Sequence, residues 1–187
     1  MKRFWMILII LLTGCSTSHE VVMPFLNYAN TGDRLFPVEQ NESEFVFRVW
    51  INNGTSIDRV ISVSTDSIFG NQCKFFEFGF LDKKGLFKTK TERFFNKVDL
   101  EPACGFDNLV LKIDSLNLFD CKSQTSFEYL LNHQPNSLYS VEIKENGKYN
   151  QFTFRTYFPD KMKVSQDFER IQRLIFDEFR FKYYMKE

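Results

Sequence analysis

The chain has 187 residues, of which 24 are basic, 24 acidic and 23 phenylalanine, and aromatic side chains make up 17% of the whole. Balanced charge, with no run of five or six like charges, excludes a nucleic-acid-binding arm and a polybasic membrane patch. The length suits one hydrophobic core that folds without a metal, and the aromatic share favours strands over disorder.

Lys2 and Arg3 form a positive start, and residues 4–12 (FWMILIILL) an uninterrupted apolar run. As a helix this run spans about 14 Å at 1.5 Å per residue, roughly half the hydrocarbon thickness, so an export signal fits it better than a permanent span. The run leads into Leu12-Thr13-Gly14-Cys15: a branched residue, two small residues and a cysteine. This motif resembles the lipobox of bacterial lipoproteins. The resemblance covers the first fifteen residues and implies that Leu12, Thr13 and Gly14 are read by the lipoprotein signal peptidase. It also implies a diacylglycerol thioether on Cys15, often with a third, amide-linked chain. Two or more acyl chains give stable anchoring where one is marginal. Cleavage there removes Lys2 and Arg3, two of the 24 basic residues, and leaves a charge of about −2. In the sorting rule of enterobacterial lipoproteins an aspartate after the cysteine implies inner-membrane retention; Ser16 stands there instead, which implies the outer membrane.

The chain thus divides into a signal peptide (1–14), a lipidated N-terminus and tether (15–40) and a single β-rich domain (41–187). Pro24, Gly32 and Pro37 mark the tether, although residues 21–26 are apolar enough to dock as an edge strand. In residues 45–51, Phe45, Phe47, Val49 and Ile51 alternate with Val46, Arg48 and Trp50, the period of a strand with one apolar face. Asn52-Asn53-Gly54 turns the chain into a second strand over 57–65. Residues 73–81 place Phe76, Phe78 and Phe80 on one face, Asp82-Lys83-Lys84-Gly85 turns, and 86–94 returns antiparallel. Residues 109–113 (LVLKI) read as another strand, while 126–132 fits a short helix or a strand. Glu145-Asn146-Gly147, between 139–144 and 148–157, predicts a type I′ hairpin. From Ser165, a candidate N-cap, the apolar residues Phe168, Ile171, Leu174, Ile175, Phe179 and Tyr183 recur at helical steps, which predicts an amphipathic helix over 165–184. About seven strands without βαβ alternation predict a mainly β fold, an antiparallel sandwich or open barrel with one C-terminal helix.

Signatures of catalysis are missing: the sequence holds no GxSxG elbow, HExxH helix, Walker loop or GxGxxG turn. His19 falls in the tether and His133 in a polar loop, without the orienting partner a general base needs, and no cysteine or histidine spacing suits zinc. No catalytic residue, cofactor site or metal site is therefore expected. With Cys15 given to lipid, Cys73, Cys104 and Cys121 allow three pairings; loop-like surroundings favour Cys104 with Cys121 and leave Cys73 as a small core residue.

Two readings of function follow. The first is a non-enzymatic envelope lipoprotein that binds a protein partner or serves an outer-membrane assembly, with the membrane as its partner through Cys15 and no nucleic acid. The second is a carbohydrate-binding or glycan-cleaving module, with Trp50 as a stacking ring and carboxylates drawn from Asp58, Asp66 and Glu77. Phe176 and Phe181, off the main stripe of the last helix and near Arg173, Arg180 and Lys182, offer that helix a second membrane contact.

Overall fold

A computed structural model of the chain describes residues 35–52, 57–84, 89–124, 138–154 and 163–180. Within them six strands, β1 (Phe45–Asn52), β2 (Ile57–Asp66), β3 (Gly70–Lys84), β4 (Thr89–Asp99), β5 (Leu138–Glu145) and β6 (Lys148–Phe154), form one open sheet. Its order is β4-β3-β2-β1-β5-β6, and every neighbouring pair is antiparallel. Among the described residues two α-helices, α1 (Phe106–Asp114) and α2 (Lys163–Phe179), accompany the sheet. The mainly β, antiparallel architecture and the C-terminal helix agree with the sequence reading. Among the described residues the strands number six and lie in a single sheet, and the layer that packs on it is helical.

Alternation along β1 assigns the two faces. Phe45, Phe47, Val49 and Ile51 point into the main core, joined by Ile61 and Val63 of β2, Tyr139, Val141 and Ile143 of β5, and Phe152 and Phe154 of β6. The helices cover this face with Leu109 and Ile113 from α1 and Phe168, Ile171 and Ile175 from α2. Phe168 docks between two rings, its centroid 4.8 Å from that of Phe154 and 4.7 Å from that of Tyr139. Phe176 is half-buried, and Phe181 lies outside the described residues. The helix starts two residues before Ser165, which therefore falls in its first turn and is no N-cap.

Residues 109–113 belong to a helix, which corrects the strand expected there. Gly105, at φ 81°, starts α1, and Phe106, Leu109, Val110 and Ile113 then share its core-facing side. Leu111 fills the gap in that stripe, so a helical pattern read as a continuous apolar run; its side chain is 66% exposed. The β5–β6 turn is as predicted, with Asn146 at φ 48° and Gly147 at φ 76°, the two positive values that a type I′ turn requires. β1 and β2 pair as expected, whereas the turn expected at Asp82-Lys83-Lys84-Gly85 is corrected: Asp82, Lys83 and Lys84 continue β3 and pair with Thr91, Lys90 and Thr89 of β4, and Thr91 Oγ1 donates to Asp82 Oδ1 across the pair at 2.6 Å. Residues 53–56 and 85–88 lie outside the described residues, as do 21–26 and 126–132.

On the opposite face of the sheet, Leu35 joins Trp50, Val60, Phe76 and Phe78 in a second apolar cluster. The segment 35–44 leads from this cluster into β1, with a short 3-10 turn at Val38–Gln40 whose Val38 is fully buried. Two side chains bind its backbone: Arg48 Nη1 donates to Phe36 O at 2.5 Å, and Lys144 Nζ donates to Asn41 O.

Candidate functional site

The second face carries the densest set of buried polar groups. Arg48 of β1 stands directly across from Glu142 of β5, so opposite charges face each other on neighbouring strands. Glu142 has no exposed surface. Its Oε2 accepts the Trp50 indole N–H at 2.6 Å, and its Oε1 lies 3.4 Å from the Tyr149 hydroxyl. That hydroxyl donates to Gln151 Oε1 at 2.8 Å. Arg48 Nε donates to Ser62 Oγ at 3.3 Å. Burial, followed by the charges of Glu142 and Glu39, raises the Tyr149 phenol well above its ordinary value, with Arg48 opposing. Ser140 and Thr153, also buried, bond to each other at 3.0 Å. The structure encloses Arg48, Ser62, Ser140, Glu142 and Thr153 and gives them partners, as buried polar groups require.

The carboxylates considered for glycan cleavage do not converge. Asp58 is buried and accepts from Asn52 Nδ2 at 2.6 Å. Asp66 lies eight residues along the same strand, about 27 Å away at ~3.4 Å per residue, where roughly 5–9.5 Å is needed for a catalytic pair. It closes the β2–β3 turn instead: Oδ1 accepts the N–H groups of Ile68 and Phe69 at 2.7 and 3.0 Å, and Oδ2 accepts from Ser43 Oγ at 3.2 Å. Those backbone bonds hold its carboxyl below the ordinary value. Glu77 pairs with Arg59 at 2.9 Å, and Arg59 points to the face opposite its chain neighbour Asp58. Trp50 is buried, edge-on to Phe78 with ring centroids 6.0 Å apart, so its ring is not open to stack on a sugar.

A second cluster joins the helices. Glu178, near the end of α2, is almost wholly buried; its Oε2 accepts the Cys104 N–H at 2.9 Å and its Oε1 an ion pair from Lys112 of α1. The Glu178 carbonyl accepts from the Ala103 N–H at 2.9 Å. Burial pushes the Glu178 carboxyl up, but hydrogen bonds from Cys104 and Lys112 outweigh it and leave the group below its ordinary value. Burial and the Glu178 carboxylate raise the Cys104 thiol, the opposite of what an activated nucleophile needs. Cys73, in the core, is pushed up to about 12 by burial.

In the structure Cys73, Cys104 and Cys121 are free thiols, in place of the expected Cys104–Cys121 bridge. The two sulfurs turn to different acceptors, Cys104 Sγ to Gly105 O at 3.4 Å and Cys121 Sγ to Asn117 O at 3.9 Å. Leu12, Thr13, Gly14, Cys15, His19 and His133 lie outside the described residues.

A cleft of about 120 Å³ opens between the end of α1 and β5, lined by Asp114, Asn117, Asp120, Ile143 and Glu145 among others. Small-molecule sites hold roughly 300–1,000 Å³, so it suits water or a single side chain. Burial raises the carboxyl of Asp114. Among the described residues no group of three or more histidine, cysteine or carboxylate side chains is placed to hold a metal ion, and no helix is long and apolar enough to cross a membrane.

Comparison with family models, curated proteins and solved structures finds no match to this chain.

Proposed function

We propose that the protein is a lipid-anchored envelope protein, tied to the outer membrane through acyl chains on Cys15, whose domain is a non-enzymatic binding or accessory module. The observation that carries this reading is the N-terminal run itself: a basic pair, nine apolar residues and Leu12-Thr13-Gly14-Cys15. The domain supports it through the way its ionisable groups are used. Glu142, Glu178 and Asp66 each bind the protein's own donors and Arg48 a backbone carbonyl, so these charges serve the fold. The glycan reading loses its stacking ring with Trp50 inside the protein.

Labelled palmitate supplied to cells making the chain tests the anchor. Incorporation is expected in the wild type and lost in Cys15→Ala, which also keeps its leader; label that persists in Cys15→Ala overturns the assignment. Cross-linking in cells tests the accessory role, with one defined envelope protein recovered repeatedly as the expected outcome. Repeated recovery of none contradicts it.

A further inference from the structure

The tip of the β2–β3 hairpin presents two large apolar side chains to solvent, Ile68 at 79% and Phe69 at 71% exposure. They are adjacent in the chain, and the turn that carries them is held from within. Asp66 accepts both of their N–H groups, and its other oxygen is bound by Ser43. The tip therefore offers apolar surface without stranding these two backbone donors, which keeps down the cost of moving it into a less polar medium. It also sits at a defined end of the molecule. Phe45, the first residue of β1, pairs with Thr65 and Glu145, and Glu44 N–H donates to Thr65 O at 3.1 Å, so the chain enters the sheet beside the tip.

We infer that Ile68 and Phe69 dip into the membrane interface beside the lipid anchor, giving the domain a second contact that fixes its orientation on the bilayer. This rests on the lipoprotein reading above. The nineteen residues between Cys15 and Leu35 reach at most about 65 Å, enough for an anchored domain to lie down on the surface. Contact made from an anchored chain is intramolecular, so two side chains too few to hold a free protein suffice to orient a tethered one. A convex tip suits a fluid surface, whereas a protein partner would have to supply a pocket for it. Exposed Glu42 and Glu44 stand with exposed Lys148 at this end of the sheet, so the charges there are mixed and the contact rests on the two apolar side chains rather than on headgroup charge.

The test uses the acylated protein bound to phosphatidylcholine vesicles with brominated acyl chains. Removal of the leader leaves Trp50, which is buried, as the sole tryptophan, so Phe69→Trp adds a reporter at the tip. Emission from the reporter is expected to shift to the blue and fall about two-fold relative to non-brominated vesicles, as for an indole at the headgroup–acyl boundary, with the wild type unchanged. Unquenched emission in protein that floats with the vesicles overturns the inference and leaves the anchor standing. Protein that carries no acyl mass and does not float overturns the anchor, and the tip contact falls with it.

Discussion

Trp50 and Glu142, 92 positions apart in sequence, meet on neighbouring strands through an indole N–H to carboxylate bond of 2.6 Å that both partners make while buried. A charge-assisted bond out of contact with water is strong, and costly to break one-sidedly. Glu142→Ala removes the acceptor of Trp50 and the negative charge opposite Arg48, and is expected to cost about 3 kcal/mol in urea unfolding. Trp50→Phe keeps most of the packing but leaves a buried carboxylate short of one donor, at about 1–3 kcal/mol. The double variant is expected to lose less than the sum; strict additivity contradicts the bond.

Glu178 ties α2 to α1 and to the chain before it, and its folded carboxyl lies below the ordinary value of 4.5. A depressed carboxylate contributes stability that is present above the unfolded value and lost as pH falls through the folded one. The clamp is therefore intact at neutral pH and fades as pH drops below about 4.5. Lys112 is shifted upward by the same pair, so its share is complete below its ordinary 10.5 and lost as pH rises through the folded value. Melting temperature measured from pH 3 to pH 7 is expected to separate wild type from Glu178→Gln at pH 7 and to bring the two together at the acid end. A gap that stays constant across that range contradicts the assignment.

The thiols give a count. Alkylation under denaturing conditions without reductant is expected to add three groups to the mature chain, at Cys73, Cys104 and Cys121, and none at Cys15. A Cys104–Cys121 bridge would leave one addition, and an unmodified Cys15 would supply one more. In the folded protein all three are expected to react slowly. Cys73 and Cys121 are buried, and the raised value of Cys104 leaves little thiolate at neutral pH.

Phe168 is packed between Tyr139 and Phe154, whereas Leu111 faces water. Phe168→Ala is expected to cost about 3–5 kcal/mol and Leu111→Ala within about 0.5 kcal/mol, read from denaturant midpoints. Equal losses would mean that α2 does not rest on the sheet in this way.

Local signals explain what was legible in the sequence. Asn146-Gly147 specified its turn because few residues accept two positive φ angles in succession, and the alternation of β1 assigned Phe45, Phe47, Val49 and Ile51 to one face. The stripe of α2 located the second layer. α1 was hidden because Leu111 made an amphipathic stripe look continuous. Burial of the second face was hidden for a different reason. Whether an alternating polar residue meets water or a partner depends on what lies over it, and the partners of Arg48 and Trp50 come from other parts of the chain. The same non-locality applies to Glu77, whose place relative to Asp58 and Asp66 emerges only from the pairing of β2 with β3, whereas the eight residues between Asp58 and Asp66 on one strand already hold those two apart.

Intact mass of the protein extracted from the membrane fraction tests the anchoring claim most directly. A polypeptide is expected that begins at Cys15 and carries the added mass of a diacylglycerol, with or without a third acyl chain. Recovery instead of the whole chain from Met1, unacylated and in the aqueous fraction, would contradict that claim.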